Sequence, residues 1–194
     1  MCLIFRRSRS IPAVPRSSLL RQYYEPLLEH LGRLVKPGDI VFDCGANQGI
    51  YTCAFGALVG PEGRVEGFEP QEYAVELALR NINLNRFAHV RINRFAVSSK
   101  IGKRFLDTSR GAVAASIVKN FGGSKGEMVS VTTLDTFAKE HSISRVDLIK
   151  MDIEGAEFEA LLGAQHVINA YRPVIVLEAA DGDAAWVRSR ELLS

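Results

Sequence analysis

Asp43, Gly45, Asn47 and Gly49 alternate at two-residue spacing, directly behind an apolar run that ends at Phe42. A helical pattern follows from Tyr51 to Val59. This order predicts a buried parallel strand that feeds a helix through a tight, glycine-bearing loop. Such a loop lets a ligand approach bare backbone at the carboxyl end of a strand, where open α/β sheets bind their ligands. The spacing is Asp-x-Gly-x-x-x-Gly and not the Gly-x-Gly-x-x-Gly of dinucleotide sites. A pyrophosphate here would meet the Asp43 carboxylate instead of an unobstructed helix N-terminus. That argues against a nucleotide-dependent oxidoreductase and for a cationic ligand.

Three further acidic features fall at the ends of predicted strands: Glu69-Pro70, Asp152 with Glu154-Gly155, and Glu178. One acidic residue at a strand end is often only a helix cap. Four such features on one sheet edge are hard to explain as packing. S-adenosyl-L-methionine carries an ammonium and a sulfonium, which suit a carboxylate at position 43. Glu69 is placed to accept both ribose hydroxyls in bidentate fashion. Ala96 and Val97, with Ser98, are expected to hold the adenine edge. Tyr51, Thr52, Pro70 and Asp152 complete the expected cofactor-binding set.

Methyl transfer from a sulfonium is an in-line displacement, in which the protein supplies orientation and a destination for the acceptor's proton. A hydroxyl acceptor calls for a general base or a metal ion. Lys150, Asp152, Glu154 and Glu178 are the candidates, and the first three form the expected catalytic set. Alternation along the strand places Lys150 and Asp152 on one face and Met151 and Ile153 on the other. Asp152 has three competing roles: orienting the methionine ammonium, deprotonating the acceptor, or ligating Mg²⁺ with Glu154 or Glu178. Metal ligation carries the least weight. Glu154 has a plain alternative as a favourable charge in a helix's first turn. Lys150, in an apolar strand, needs a partner, expected to be Asp152 or Glu178. The four histidines show no ligand spacing and read as surface residues.

The elements that must position these groups alternate along the chain. Strands are predicted at Ile40–Asp43, Arg64–Glu69, Val90–Val97, Met128–Thr132, Val146–Ile153 and Pro173–Glu178. Helices are predicted at Leu19–Leu34, Tyr51–Val59, Gln71–Leu84, Leu134–His141 and Ala156–Ala170. Strand-helix alternation predicts an α/β, doubly wound, mostly parallel sheet with helices on both faces. Residues 98–127 read as a long glycine-rich loop that could supply acceptor-binding groups such as Ser116 and Asn120. The chain is expected to divide into a poorly ordered basic leader, residues 1–18, and one domain, residues 19–194.

Composition narrows the class. Apolar residues make up 47% and charged residues 24%, as in ordinary globular domains, and the net charge of +2 points to no nucleic acid or membrane partner. The first 37 residues are locally basic, with seven Lys or Arg against Glu25 and Glu29. Three unclustered cysteines suggest neither disulfides nor zinc. No segment reaches the ~18 apolar residues of a membrane span, so the expectation is a cytoplasmic protein acting on a small-molecule or glycan acceptor.

Five motifs together resemble the FkbM-type S-adenosylmethionine-dependent methyltransferases. They are Asp43 to Thr52, Gly67-Phe68-Glu69-Pro70, Asn81 to Asn85, Thr133-Leu134-Asp135, and Val146 to Glu157. The resemblance spans about Val35 to Glu178. It implies a class I methyltransferase fold, strand order 3-2-1-4-5-7-6, and O-methylation of a sugar or natural-product hydroxyl. By the same resemblance Asp43, Gly45, Asn47 and Gly49 would hold the methionine end of the cofactor and Glu69 the ribose. Gln48 departs from the aliphatic residue frequent in the family. The chain ends at Ser194, too soon after Glu178 for the last helix and strand pair of that fold. The fifth strand is therefore expected as an open edge, which means either a C-terminally truncated domain or an edge covered by a partner subunit such as a second copy. An alternative reading is a module that binds the cofactor without turnover.

Overall fold

The computed structural model describes residues 2–6, 28, 30–108, 116–118, 126–179, 189 and 192–193. Its main sheet has six parallel strands. They are β1 (Cys2–Arg6), β2 (Ile40–Cys44), β3 (Arg64–Phe68), β4 (Val90–Asn93), β9 (Leu148–Met151) and β10 (Val174–Ala179). Their spatial order is β1-β10-β9-β2-β3-β4. Read from β4, this is the 3-2-1-4-5 half of the expected order. Short apolar strands buried on both faces produce it, because a parallel sheet covered by helices leaves no solvated side.

Strand alternation divides the core in two. Val41, Val65, Leu148 and Val176 pack with Tyr51 and Phe55 of α2 (Ile50–Val59) and with Leu31 of α1 (Leu31–Leu34). Phe42, Cys44, Phe68, Ile149 and Met151 turn to the other face. There they meet α4 (Leu134–Glu140), α5 (Glu157–Leu162) and α6 (Gln165–Tyr171). Phe42, Phe68 and Phe137 form an edge-to-face trio with centroids 4.7 to 6.1 Å apart. Aromatic pairs favour that arrangement. The amphipathic helix α3 (Glu72–Leu84) connects β3 to β4 and buries Ala74, Ala78 and Ile82.

Several expectations need correction. Cys2–Arg6, expected in a poorly ordered leader, pair in parallel with β10 residues 175–179. The fifth strand is therefore covered on its outer side, and the reason for a partner subunit there falls away. Residues 7–18 lie outside the described part. The third predicted strand splits: β4 ends at Asn93, and β5 (Ala96–Val97) joins a second sheet of order β5-β8-β6-β7. That sheet also contains β6 (Gly102–Asp107), β7 (Ser116–Val118) and β8 (Gly126–Thr132). Part of the expected glycine-rich loop is thus antiparallel strand. The helix expected over Ala156–Ala170 is broken at Gly163, where a Cβ would collide with the Ser98 carbonyl. Among the described residues no helix is long and apolar enough to cross a membrane.

Candidate functional site

Four loops converge at the carboxyl ends of β2, β3, β4 and β9. The β2–α2 loop is built on backbone that L side chains seldom adopt: φ is +80° at Gly45, +48° at Asn47 and +83° at Gly49. Glycine is required twice over at Gly45. A Cβ there would also drive into the Asp152 carbonyl, so the loop lies directly on the end of β9. Its amides are well placed, since Gly45 and Ala46 both donate to the Phe68 carbonyl at 3.0 Å. The Asn81 amide holds the Gln48 carbonyl at 2.8 Å, which fixes the loop against α3.

Glu69 closes the neighbouring side. Its carboxylate accepts the Asn47 N–H and the Gln71 N–H, each at 2.9 Å. Burial raises its pKa above the ordinary carboxylate value, against the two amides, which lower it. Each oxygen retains a lone pair beyond these bonds. The first expected cofactor loop and the expected ribose acid are therefore joined by a hydrogen bond. Pro70 follows at the half-buried rim.

Beneath the loop lies a charge cluster. Asp43 and Lys150 face one another on β2 and β9, with Lys150 Nζ 3.3 Å from Asp43 Oδ1. Thr52 Oγ1 donates to Asp43 Oδ2 at 2.6 Å. The ammonium also lies 3.5 Å from the Gly45 carbonyl, 3.7 Å from Asp152 Oδ2, and 4.6 Å over the Tyr51 ring. Burial pushes the Lys150 pKa down, but Asp43 and then Asp152 push it up, and the net shift is upward. Lys150 is a held cation. The expected partner Asp152 is present at 3.7 Å, and Asp43, which was not expected, is the nearer one because strand register sets it directly opposite.

Residues of the expected cofactor set differ in exposure and in contacts. The Asp43 side chain is 0% exposed and faces Thr52 and Lys150, whereas that of Asp152 is 33% exposed at the cleft. Tyr51 and Thr52 likewise serve the buried cluster. Ala96 and Val97 turn their side chains into two different cores, and β5 pairs with β8. Glu154 is exposed at φ +52° in a left-handed turn with Gly155, ahead of α5 instead of within its first turn. Glu157 takes the role that sequence reasoning missed: its carboxylate accepts the Ile153 N–H at 2.9 Å and closes that turn. Its pKa is raised by burial. The Glu178 side chain, Asn120 and the Ser116 side chain lie outside the described residues.

Other chemistry-bearing groups lie elsewhere. Among the described residues, no three His, Cys, Asp or Glu side chains come together as a metal site. His89 contacts the Gly56 carbonyl, and His141 stacks on Phe137 at 3.9 Å. An open groove of about 630 Å³ lined in part by Lys139, His166 and Tyr171 contains one carboxylate, Asp135. That carboxylate accepts the His166 and Val167 N–H groups at 2.9 Å, capping α6.

A doubly wound parallel sheet with loops gathered at its carboxyl edge is common to several open α/β folds, and solved methyltransferases share it with this chain as a class I methyltransferase fold. Residues 43–189 match the family model described as the methyltransferase FkbM domain, and the chain belongs to that family. It is 26% identical over 181 residues to the 31-O-demethyl-FK506 methyltransferase FkbM of Streptomyces tacrolimicus, covering 78% of this chain and 69% of that one. It is 31% identical over 106 residues to a Saccharolobus solfataricus protein named "Probable cobalt-precorrin-6B C(15)-methyltransferase (decarboxylating)". That match covers 49% of this chain, and the chain spans only 53% of that relative. The crystal structure of methyltransferase FkbM from Methylobacillus flagellatus superposes with a TM-score of 0.52 at 20% identity. It covers 86% of this chain and 42% of that chain, a likeness of fold.

Proposed function

We propose that this domain binds S-adenosyl-L-methionine along the carboxyl edge of its main sheet and methylates a hydroxyl of a sugar or small natural product. The observation that carries the reading is Glu69, fixed by the Asn47 and Gln71 amides with one lone pair left on each oxygen. Two vicinal hydroxyls fit such an acceptor. The left-handed Gly45–Gly49 loop beside it offers bare backbone to the methionine end of the ligand. When bound, the cofactor supplies a sulfonium-activated methyl group. As the C–S bond breaks and a C–O bond forms, the acceptor hydroxyl loses a proton. Lys150 is not the acceptor of that proton, because its ammonium is held between two carboxylates. Asp152 and Glu154 remain for the acceptor's proton and the donor's ammonium.

An oxygen acceptor is favoured by the Streptomyces relative, whose name describes action on 31-O-demethyl-FK506 and which matches over more of this chain than the Saccharolobus protein. Cys44 and Cys53 are both free thiols, which supports a reducing, cytoplasmic setting. The test is transfer of a labelled methyl group from S-adenosylmethionine to a panel of hydroxylated sugars and polyketides. Label in an ether product supports the reading. Cofactor binding with no product on any acceptor would favour a binding module without turnover.

A further inference from the structure

The proposed function leaves a buried ion pair without a role, and leaves open which carboxylate meets the ligand's ammonium. Asp43 Oδ1 finds no donor in hydrogen-bond geometry among the described residues, and its contact is the Lys150 ammonium at 3.3 Å. Taking a carboxylate out of water costs several kcal/mol unless a counter-charge faces it. Lys150 is that counter-charge, and it does more than neutralise. Its Nζ meets the Asp43 side chain of β2, the carbonyl of the Gly45 turn and the carboxylate that follows β9. One ammonium thereby connects the two loops that form the proposed methionine end of the site. The Tyr51 face at 4.6 Å closes the remaining side.

We propose that Lys150 is a positioning residue, which cancels the buried charge of Asp43 and steers Asp152, so that Asp152 and not Asp43 receives the ammonium of the methyl donor. This rests on the reading that the site binds S-adenosylmethionine. Asp43 has no open approach, since its side chain is 0% exposed in the core, with Thr52 and Lys150 against its two oxygens. Asp152 has one oxygen facing Lys150 and an exposed flank at the cleft.

The test uses two ligands, S-adenosylhomocysteine, which carries the ammonium, and 5′-methylthioadenosine, which lacks it. Lys150→Met alone strands the Asp43 charge, so the informative variant is Asp43→Asn with Lys150→Met, a neutral pair of similar shape. Its urea midpoint should recover most of what Lys150→Met loses. Its affinity for S-adenosylhomocysteine should stay at least about tenfold weaker than wild type, a difference of 1.4 kcal/mol. Its affinity for methylthioadenosine should fall far less. Asp152→Asn should reproduce the same ligand selectivity, and Lys150→Arg should restore part of it. Wild-type affinity for both ligands in the double variant would show that Lys150 serves stability alone and overturn the proposal. If the wild-type domain bound neither ligand, the cofactor reading itself would fall, and the proposal with it.

Discussion

Lys150 Nζ lies 3.3 Å from Asp43 Oδ1 across two adjacent parallel strands, and both side chains are buried beneath the glycine turn. Breaking such a pair from one side leaves an uncompensated charge. Lys150→Ala should therefore cost roughly 3–5 kcal/mol of stability, read from urea midpoints. Asp43→Asn in that background should recover a large part.

The same pair sets a pH dependence. The Lys150 pKa is raised above its ordinary value because two carboxylates outweigh its burial. Its contribution is complete below the ordinary lysine value and is lost as pH rises through the higher folded value. Urea midpoints should thus decline at alkaline pH more steeply in the wild type than in the neutral double variant. Equal slopes would mean that the pair adds nothing there.

Glu69 titrates with the opposite consequence for binding. Burial raises its pKa, so it takes up a proton at a pH above its ordinary value. The folded chain is then the tighter proton binder, and this group's share of stability declines as pH rises from the ordinary value through the raised one. Affinity for S-adenosylhomocysteine should fall as pH drops through that folded value, since a protonated carboxyl accepts two hydroxyls poorly. Glu69→Gln should weaken binding by about 1.5–3 kcal/mol, the range for hydrogen bonds to a charged group, and flatten the pH profile. Titration calorimetry across mildly acid pH reads both.

Gly45→Ala should disable binding as well as weaken the fold. The residue sits at φ +80°, and its Cβ would strike the Asp152 carbonyl, so the loop must move off β9. Loss of cofactor binding together with a lowered melting temperature is expected. An unchanged affinity would mean that the loop does not carry the ligand.

Asp135→Ala separates structure from site. Its carboxylate receives two α6 amides on the far side of the sheet, so removal should cost about 0.5–2 kcal/mol, the range for a lost cap. Ligand affinity should not change.

What could be seen in the sequence follows from what is local. Strands β2, β3, β9 and β10 are short apolar runs whose burial on both faces follows from composition, and the glycines of the Asp43–Gly49 loop signal its backbone. Strand β6 escaped because Gly102, Lys103 and Arg104 are exposed and only Leu106 reaches a core, which leaves no alternation to read. The close approach of Gly163 to the Ser98 carbonyl involves a neighbour distant in sequence. Pairing of Lys150 with Asp43 depends on strand register, and the role of Glu157 on the left-handed turn at Glu154 and Gly155. Long-range partners of this kind leave no periodic trace.

The cofactor claim is tested most directly by titrating the domain with S-adenosylhomocysteine, S-adenosylmethionine and NAD in parallel. One adenosyl ligand should bind per chain, displaced by its methylated or demethylated counterpart, with no heat from NAD. Binding of NAD alone, or of none of the three, would contradict the reading of the Asp43–Gly49 loop and Glu69 as an S-adenosylmethionine site.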